Sequence, residues 1–351
     1  MDAKETGCKM IQGKLSVSIV VPVYNVSLYI ERCIKSVMAQ NYPVKECIIV
    51  DDASPDDSIA KCVRLIDRYD GPTRFVILHH GHNRGLSAAR NSGTDNAQGD
   101  YVFYLDGDDE LTPDCIEKLA RPIERDSSIE IVQGNHQVLK DGVTWIGNEK
   151  LSVEEDFFSS TAVRECYYEK AILRVTAWNK LIAKRFLVDN GLSFPEGLLH
   201  EDVTWAFYVV KYLQHLYMIP DVTYHYYVRP LSISTGASYE DRAYSLSIIC
   251  KDIAEHFTLG EEAREAKFYL RMYFVFFFKN RRMEGFKSAL PLFEKALAGD
   301  DSRRVRVLLW MLKLSYKSTF LHCIFAIVLS VNRFLMISFR RFASLWKKVK
   351  K

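Results

Sequence analysis

Tyr101-Val102-Phe103-Tyr104-Leu105-Asp106-Gly107-Asp108-Asp109-Glu110 drives an apolar and aromatic run into a cluster of four acids, with one glycine at the corner. A continuous run of this kind reads as a buried strand, which puts the acids at its carboxyl end. Carboxylates so close together repel one another unless positive charge lies between them. A divalent cation carrying a phosphate supplies that charge, because hard cations take oxygen ligands. In isolation the same run would read as a solvated acidic turn, and its neighbours decide between the two.

Three further strands precede it. Val17-Ser18-Ile19-Val20-Val21-Pro22-Val23-Tyr24-Asn25 reads as a first buried strand, and Ser27 is placed to cap a helix carrying Ile30, Ile34, Val37 and Met38 on one face. Glu46-Cys47-Ile48-Ile49-Val50-Asp51-Asp52 is a second strand, again ending in acids, followed by a helix over 56–69. Arg74 to His79 is a third, and Gly85 to Gln98 a helix that leads into the opening stretch. Strands alternating with helices of this length predict right-handed βαβ units and a mostly parallel α/β sheet covered by helices. Ligands of such sheets bind beyond the carboxyl ends of the strands. That rule gathers Tyr24, Asp51, Asp52, Asn83, Asp106 and Asp108 along one rim. Asp106 and Asp108 lie two apart, so an extended strand would point both to the same side.

Beyond a helix over 114–126 and a strand over 129–134, the regular alternation stops. Helices are expected over 162–173 and 180–190, then one that Gly197 to Asp202 lead into and that carries Val203, Trp205, Ala206, Val209, Val210 and Leu213, with a closing strand over 221–229. No G-x-G-x-x-G follows the first strand, and G-x-x-x-x-G-K-[ST] is missing throughout, which argues against a dinucleotide fold and a P-loop. A rim of carboxylates fits a nucleotide-diphosphate ligand, held through acceptor atoms and a metal. A nucleotidyltransferase would want a basic loop after the first strand, and Val23 to Ser27 contains no basic residue.

The chain has 351 residues, 48% hydrophobic and 26% charged, and a net charge of +3. Residues 301–351 hold twelve Lys or Arg against the single acid Asp301, so this tail carries +11 and the remainder −8. Eight cysteines show no C-x-x-C spacing, and several sit in apolar runs, which reads as buried thiols in a reducing compartment. Residues 1–14 are polar and lack the apolar core of a signal peptide, so a cytoplasmic body is expected.

These residues together resemble the inverting glycosyltransferases of family 2, which have the nucleotide-diphospho-sugar transferase (GT-A, Rossmann-like) fold. The resemblance rests on Ser18 to Asn25, on Val50-Asp51-Asp52-Ala53-Ser54 with Asp56-Asp57, and on Asn83-Arg84-Gly85-Leu86-Ser87-Ala88-Ala89-Arg90-Asn91. It continues through Leu105 to Asp109, Trp178-Asn179-Lys180-Leu181 and His200-Glu201-Asp202, and covers residues 16–230. It implies a catalytic domain over 1–230, a nucleotide-sugar donor such as a UDP-sugar, and a saccharide or lipid-linked saccharide acceptor. By the same resemblance Pro22 and Tyr24 line the base, Asp52 bonds the uracil, and Asn83, Arg90 and Asp106 belong to the donor site. Asp108 would ligate Mn²⁺ or Mg²⁺, and Asp202 would be the general base with Glu201 beside it. Gly107 stands where serine is frequent. Arg229 and His225 are further candidates at the closing strand, and Trp178 could stack on an acceptor sugar. The rival reading is a catalytically silent nucleotide-sugar-binding scaffold, against which the intact Asp106-x-Asp108 and Glu201-Asp202 pairs argue.

Residues 231–351 lie outside the resemblance and read as a helical extension. Phe268 to Phe278 is strongly aromatic, and 320–331 is apolar but shorter than the ~20 residues a membrane span requires. Val331, Phe334, Leu335, Phe342, Leu345 and Trp346 fall near helical spacing among seven basic residues and no acid. That pattern predicts an amphipathic helix on the anionic cytoplasmic face of a membrane. Nothing else in the chain resembles a nucleic-acid-binding module.

Overall fold

The buried residues of β1 (Val17–Val23) explain why the chain folds around this segment, since every position is shielded from water. Ile19, Val20 and Val21 are wholly buried, and each such side chain contributes about 1.5–3 kcal/mol. The computed structural model describes residues 13–148, 151, 156–167, 172–229 and 238–256, with a few positions between 290 and 314. The expected segments 268–278, 320–331 and 331–351 lie outside the described residues. The chain divides into two compact units at Ser238 and Tyr239.

In the first unit, β1 is followed by α1 (Ile30–Met38), β2 (Glu46–Asp51), α2 (Ser58–Ile66), β3 (Arg74–His79), α3 (Leu86–Asn96) and β4 (Tyr101–Tyr104). Strands β3, β2, β1 and β4 lie side by side and parallel, with Ser18 opposite Glu46 and Val17 opposite Tyr101. Gly93 lets α3 settle on this sheet, because a Cβ there would meet Val20 Cγ1 at 2.3 Å. Cys33, Cys47, Cys62 and Cys115 are buried thiols of this core, as their apolar surroundings in the sequence predict.

After β5 (Glu110–Leu111) and α4 (Cys115–Arg125) come β6 (Ile131–Lys140), β7 (Val143–Ile146), β8 (Asp156–Ser159) and α5 (Ser160–Glu165). Then follow β9 (Lys180–Ala183), α6 (Lys184–Asp189), α7 (Glu201–Tyr212) and β10 (His215–Tyr227). The sheet order is β3-β2-β1-β4-β9-β6-β10-β5, with β7 on β6 and β8 on β10. Strand β9 runs antiparallel to both β4 and β6, while β6 and β10 are parallel. The carboxyl ends of β1, β2, β4 and β10 therefore share a rim with the amino end of β9.

The expectations differ from this structure in several places. The helix over 180–190 is confined to 184–189, because Lys180 to Ala183 complete the sheet and are buried as a strand. Pairing on both edges outweighs the local helical preference. Among the described residues, the helix over 162–173 is limited to Ser160–Glu165, and the closing strand begins six residues early at His215. Ser27 is no helix cap: α1 starts after Tyr29, and the Ser27 hydroxyl donates to Asp57.

In the second unit, α8 (Tyr239–His256) buries Ala243, Leu246, Ile249, Cys250 and Ile253 along one helical face. Among the described residues, no helix is long and apolar enough to cross a membrane.

Candidate active site

Residues 106–109 form a turn rather than a continuation of β4, with the Asp109 N–H donating to the Asp106 carbonyl at 3.0 Å. The expectation that Asp106 and Asp108 share one side of an extended strand therefore fails. Gly107 allows the turn to press against β1, since a Cβ would come within 3.0 Å of the Pro22 carbonyl oxygen and 3.3 Å of Val26. A serine there would need the neighbours to give way.

Each acid of the turn has its own partner. Asp106 accepts from Arg90 Nη2 at 2.8 Å. Asp108 pairs through Oδ2 with Arg229 Nε, and its carbonyl accepts from Arg32 Nη2 at 2.7 Å. Asp109 is buried and accepts from the Tyr224 hydroxyl at 2.7 Å and the Tyr227 N–H at 2.8 Å. Burial pushes the Asp109 carboxyl well above the usual range, and the nearby charges of Asp108 and Asp106 push the same way. Asp108 is raised too, by burial and by Asp106 against the opposing charge of Arg229.

Arg90 faces inward and is only 3% exposed. Its Nη1 donates to Glu201 Oε1 at 2.7 Å, so one guanidinium joins the acid turn to the start of α7. Burial works against the Arg90 charge, but Asp106 and Glu201 outweigh it and push its pKa up. Glu201 thereby holds Arg90 in place. Its neighbour Asp202 is held by the Val203 N–H and feels the charges of Arg90 and Lys180. Burial raises the Asp202 carboxyl, against Arg90 and Lys180, toward the range a general base needs. His200, in a left-handed conformation with φ 63°, turns the chain into this helix.

Asp52 is likewise an internal brace. Its Oδ1 accepts from the Arg84 N–H at 2.8 Å and faces His80 Nδ1 at 2.7 Å, while Oδ2 accepts from the Gly85 N–H at 2.7 Å. At 2% exposure it organises the loop that carries Arg84 and Gly85. Pro22 is also buried, within β1. Tyr24 is 47% exposed just beyond that strand, and Asn83 is exposed on the loop that Asp52 holds. Asp51 is supporting structure, bonded to Ser54 N and His79 Nδ1.

Because β9 is antiparallel, Trp178 and Asn179 arrive at the same rim. The Trp178 indole stacks on Tyr224 at 4.7 Å and on Tyr226 at 5.5 Å, with His136 edge-on at 5.0 Å. Asn179 donates to the carbonyls of Gly134 and Asn135 and accepts from the Thr223 hydroxyl at 2.6 Å. Lys180 is buried, and burial pulls its amine down to about 7, with Arg174 adding to the effect. In the sequence Asp109 and Lys180 stand within the quoted motifs without a role of their own, and Tyr224 is one of several aromatic residues of the closing strand. Strand alternation through 222, 224 and 226 was the available signal for Tyr224.

The donor set suits a hard cation held by one or two carboxylates and by phosphate oxygens from a ligand. Among the described residues, no group of three or more His, Cys, Asp or Glu forms an all-protein cage. A cation shared with a diphosphate fits that arrangement, provided Arg229 yields Asp108.

The glycosyl transferase family 2 model matches residues 18–180. Glycosyltransferase GlyA of Streptococcus pneumoniae is 31% identical over 192 residues, covering 53% of this chain and 27% of that protein. The uncharacterized glycosyltransferase YibD of Escherichia coli is 28% identical over 234 residues, 64% of this chain and 65% of the relative. The chain thus spans less than two thirds of the length of either. The crystal structure of S. aureus TarS 1–349 in complex with UDP-GlcNAc superposes with a TM-score of 0.64 at 20% identity, covering 85% of this chain and 84% of that one.

Proposed function

We propose that residues 18–180, which match the glycosyl transferase family 2 model, form a family 2 glycosyltransferase domain of the GT-A fold, and that the protein transfers a sugar from a UDP-sugar to a saccharide acceptor with inversion. The observation that carries this reading is the frame in which Arg90 joins Asp106 of the acid turn to Glu201 at the start of α7, beside Asp202. The UDP-GlcNAc and UDP bound in the TarS structures support a uridine nucleotide as the donor.

In this reading Tyr24 and the loop braced by Asp52 receive the nucleoside. Asp106 and Asp108 would hold Mn²⁺ or Mg²⁺, which when bound neutralises charge on the departing diphosphate. Asp202 takes the proton from the acceptor hydroxyl as its oxygen bonds to the anomeric carbon. The bond from that carbon to the diphosphate oxygen breaks on the opposite face, and the nucleoside diphosphate leaves with the bonding electrons. A single in-line displacement of this kind inverts the anomeric configuration. Arg90 keeps Asp106 and α7 in one frame, so donor and base stay in register. Partial burial of Asp202, which raises its carboxyl, supports the base assignment, because the helix dipole alone would depress its pKa.

A lipid-linked acceptor is the partner class that best suits the basic, apolar sequence of residues 331–351, which supports a place at a cytoplasmic membrane surface. The decisive experiment compares Asp202→Asn with the parent for UDP affinity and for transfer from a UDP-sugar panel. Transfer should fall by about 10²–10⁴-fold while UDP affinity is retained. Lost UDP binding, or full transfer, would remove Asp202 from the role of base.

A further inference from the structure

We propose that Arg229 is the resident counter-ion of Asp108 and that it sets the affinity of the rim for a divalent cation by competing for the same carboxylate. The proposal rests on the reading of Asp108 given above. Two guanidiniums touch the acid turn, and they are held very differently. Arg90 grips two carboxylates and is 3% exposed, so it is locked in place. Arg229 has Asp108 as its only ion-pair partner among the described residues, and both side chains are 19% exposed. It stands two residues past the end of β10, with its guanidinium 5.3 Å from the Tyr29 ring centroid.

Arg32 cannot take over the pairing. It is fixed by a 2.7 Å bond to the Asp108 carbonyl, by the Tyr227 ring at 3.5 Å, and by Glu110 at 3.8 Å. Arg229 is therefore the group that can move. A divalent cation on Asp108 would lie within a few ångströms of the guanidinium, and like charges that close repel strongly in a partly buried site. Cation and Arg229 thus exclude one another at this carboxylate until further negative charge arrives. A nucleoside diphosphate brings that charge and leaves room for both. Cation and nucleotide should consequently bind with positive coupling, and Arg229 is the source of much of it.

The test measures Mn²⁺ binding by electron paramagnetic resonance on the full chain, with and without UDP, for the parent, Arg229→Gln and Asp108→Asn. Without UDP, Arg229→Gln should bind Mn²⁺ about tenfold more tightly than the parent, the scale of a coupled pair. With UDP the difference should shrink, and Asp108→Asn should bind little in either condition. Unchanged or weaker Mn²⁺ binding by Arg229→Gln, alongside loss in Asp108→Asn, would overturn the counter-ion role and leave the Asp108 reading standing. Binding indifferent to Asp108→Asn would overturn both. Arg229→Lys, which keeps the charge without the planar fork, serves if the glutamine variant does not fold. It should fall between parent and glutamine levels, and parent-like affinity without UDP together with lost coupling would count against the proposal.

Discussion

Replacing Arg90 with methionine removes one guanidinium and strands two carboxylates, Asp106 at 2.8 Å and Glu201 at 2.7 Å. Glu201 is 8% exposed at its side chain and cannot be rehydrated without opening the start of α7. Asp106, at 23%, recovers part of its hydration, so its share is smaller. Breaking a buried pair from one side costs about 3–5 kcal/mol. For a domain of this size that lowers the melting temperature by about 6–20 °C. The loss also acquires a pH signature. Burial already raises Glu201 above its ordinary value, and removing Arg90 deletes the main opposing charge. A carboxyl raised in the folded state binds more protons there than in the unfolded chain, so stability declines as pH rises through the interval between the two pKa values. The deficit of Arg90→Met should accordingly be largest near pH 7–8 and shrink as the buffer is acidified toward pH 5. Thermal melts followed by circular dichroism at four pH values between these limits measure it. A variant within about 2 °C of the parent throughout would refute the bridging role.

Two other outcomes follow from the acceptor side and the tail. Trp178→Leu should raise the acceptor KM by about 3–10-fold, the worth of one aromatic contact, with UDP affinity unchanged; an unaltered acceptor KM would restrict Trp178 to its packing on Tyr224 and Tyr226. Deleting residues 331–351 should abolish co-sedimentation with vesicles containing anionic lipid, and undiminished sedimentation would defeat the membrane assignment of that segment.

The parallel half of the sheet was legible in the sequence because burial on both faces produces uninterrupted apolar runs such as Ile19 to Val21 and Cys47 to Val50. Periodicity does not distinguish a four-residue buried strand from the first turn of a helix. For that reason β9 was read as part of the helix that follows it, and only its pairing with Phe103 and Val132 reveals it. Among the site residues, type and position along the rim were readable but orientation was not. Asp52 and Arg90 lie where expected, yet both point inward. The pairing of Glu201 depends on Arg90, more than a hundred residues earlier, and local sequence carries no trace of that contact.

The reversed direction of β9 has a consequence for how such a protein can change. Entering the sheet from the opposite end, it delivers Trp178 and Asn179 to the rim already built by β1, β2 and β4. In the proposed reading the donor is met by residues between 22 and 109 together with Arg229, and the acceptor by Trp178 and Asp202. On that reading, recognition of the two reactants would draw on largely separate stretches of one polypeptide, joined at Arg90 and Glu201 and at Asp108 and Arg229. Exchange of the later stretch could redirect the sugar to a new recipient while the earlier one continues to read the same nucleotide.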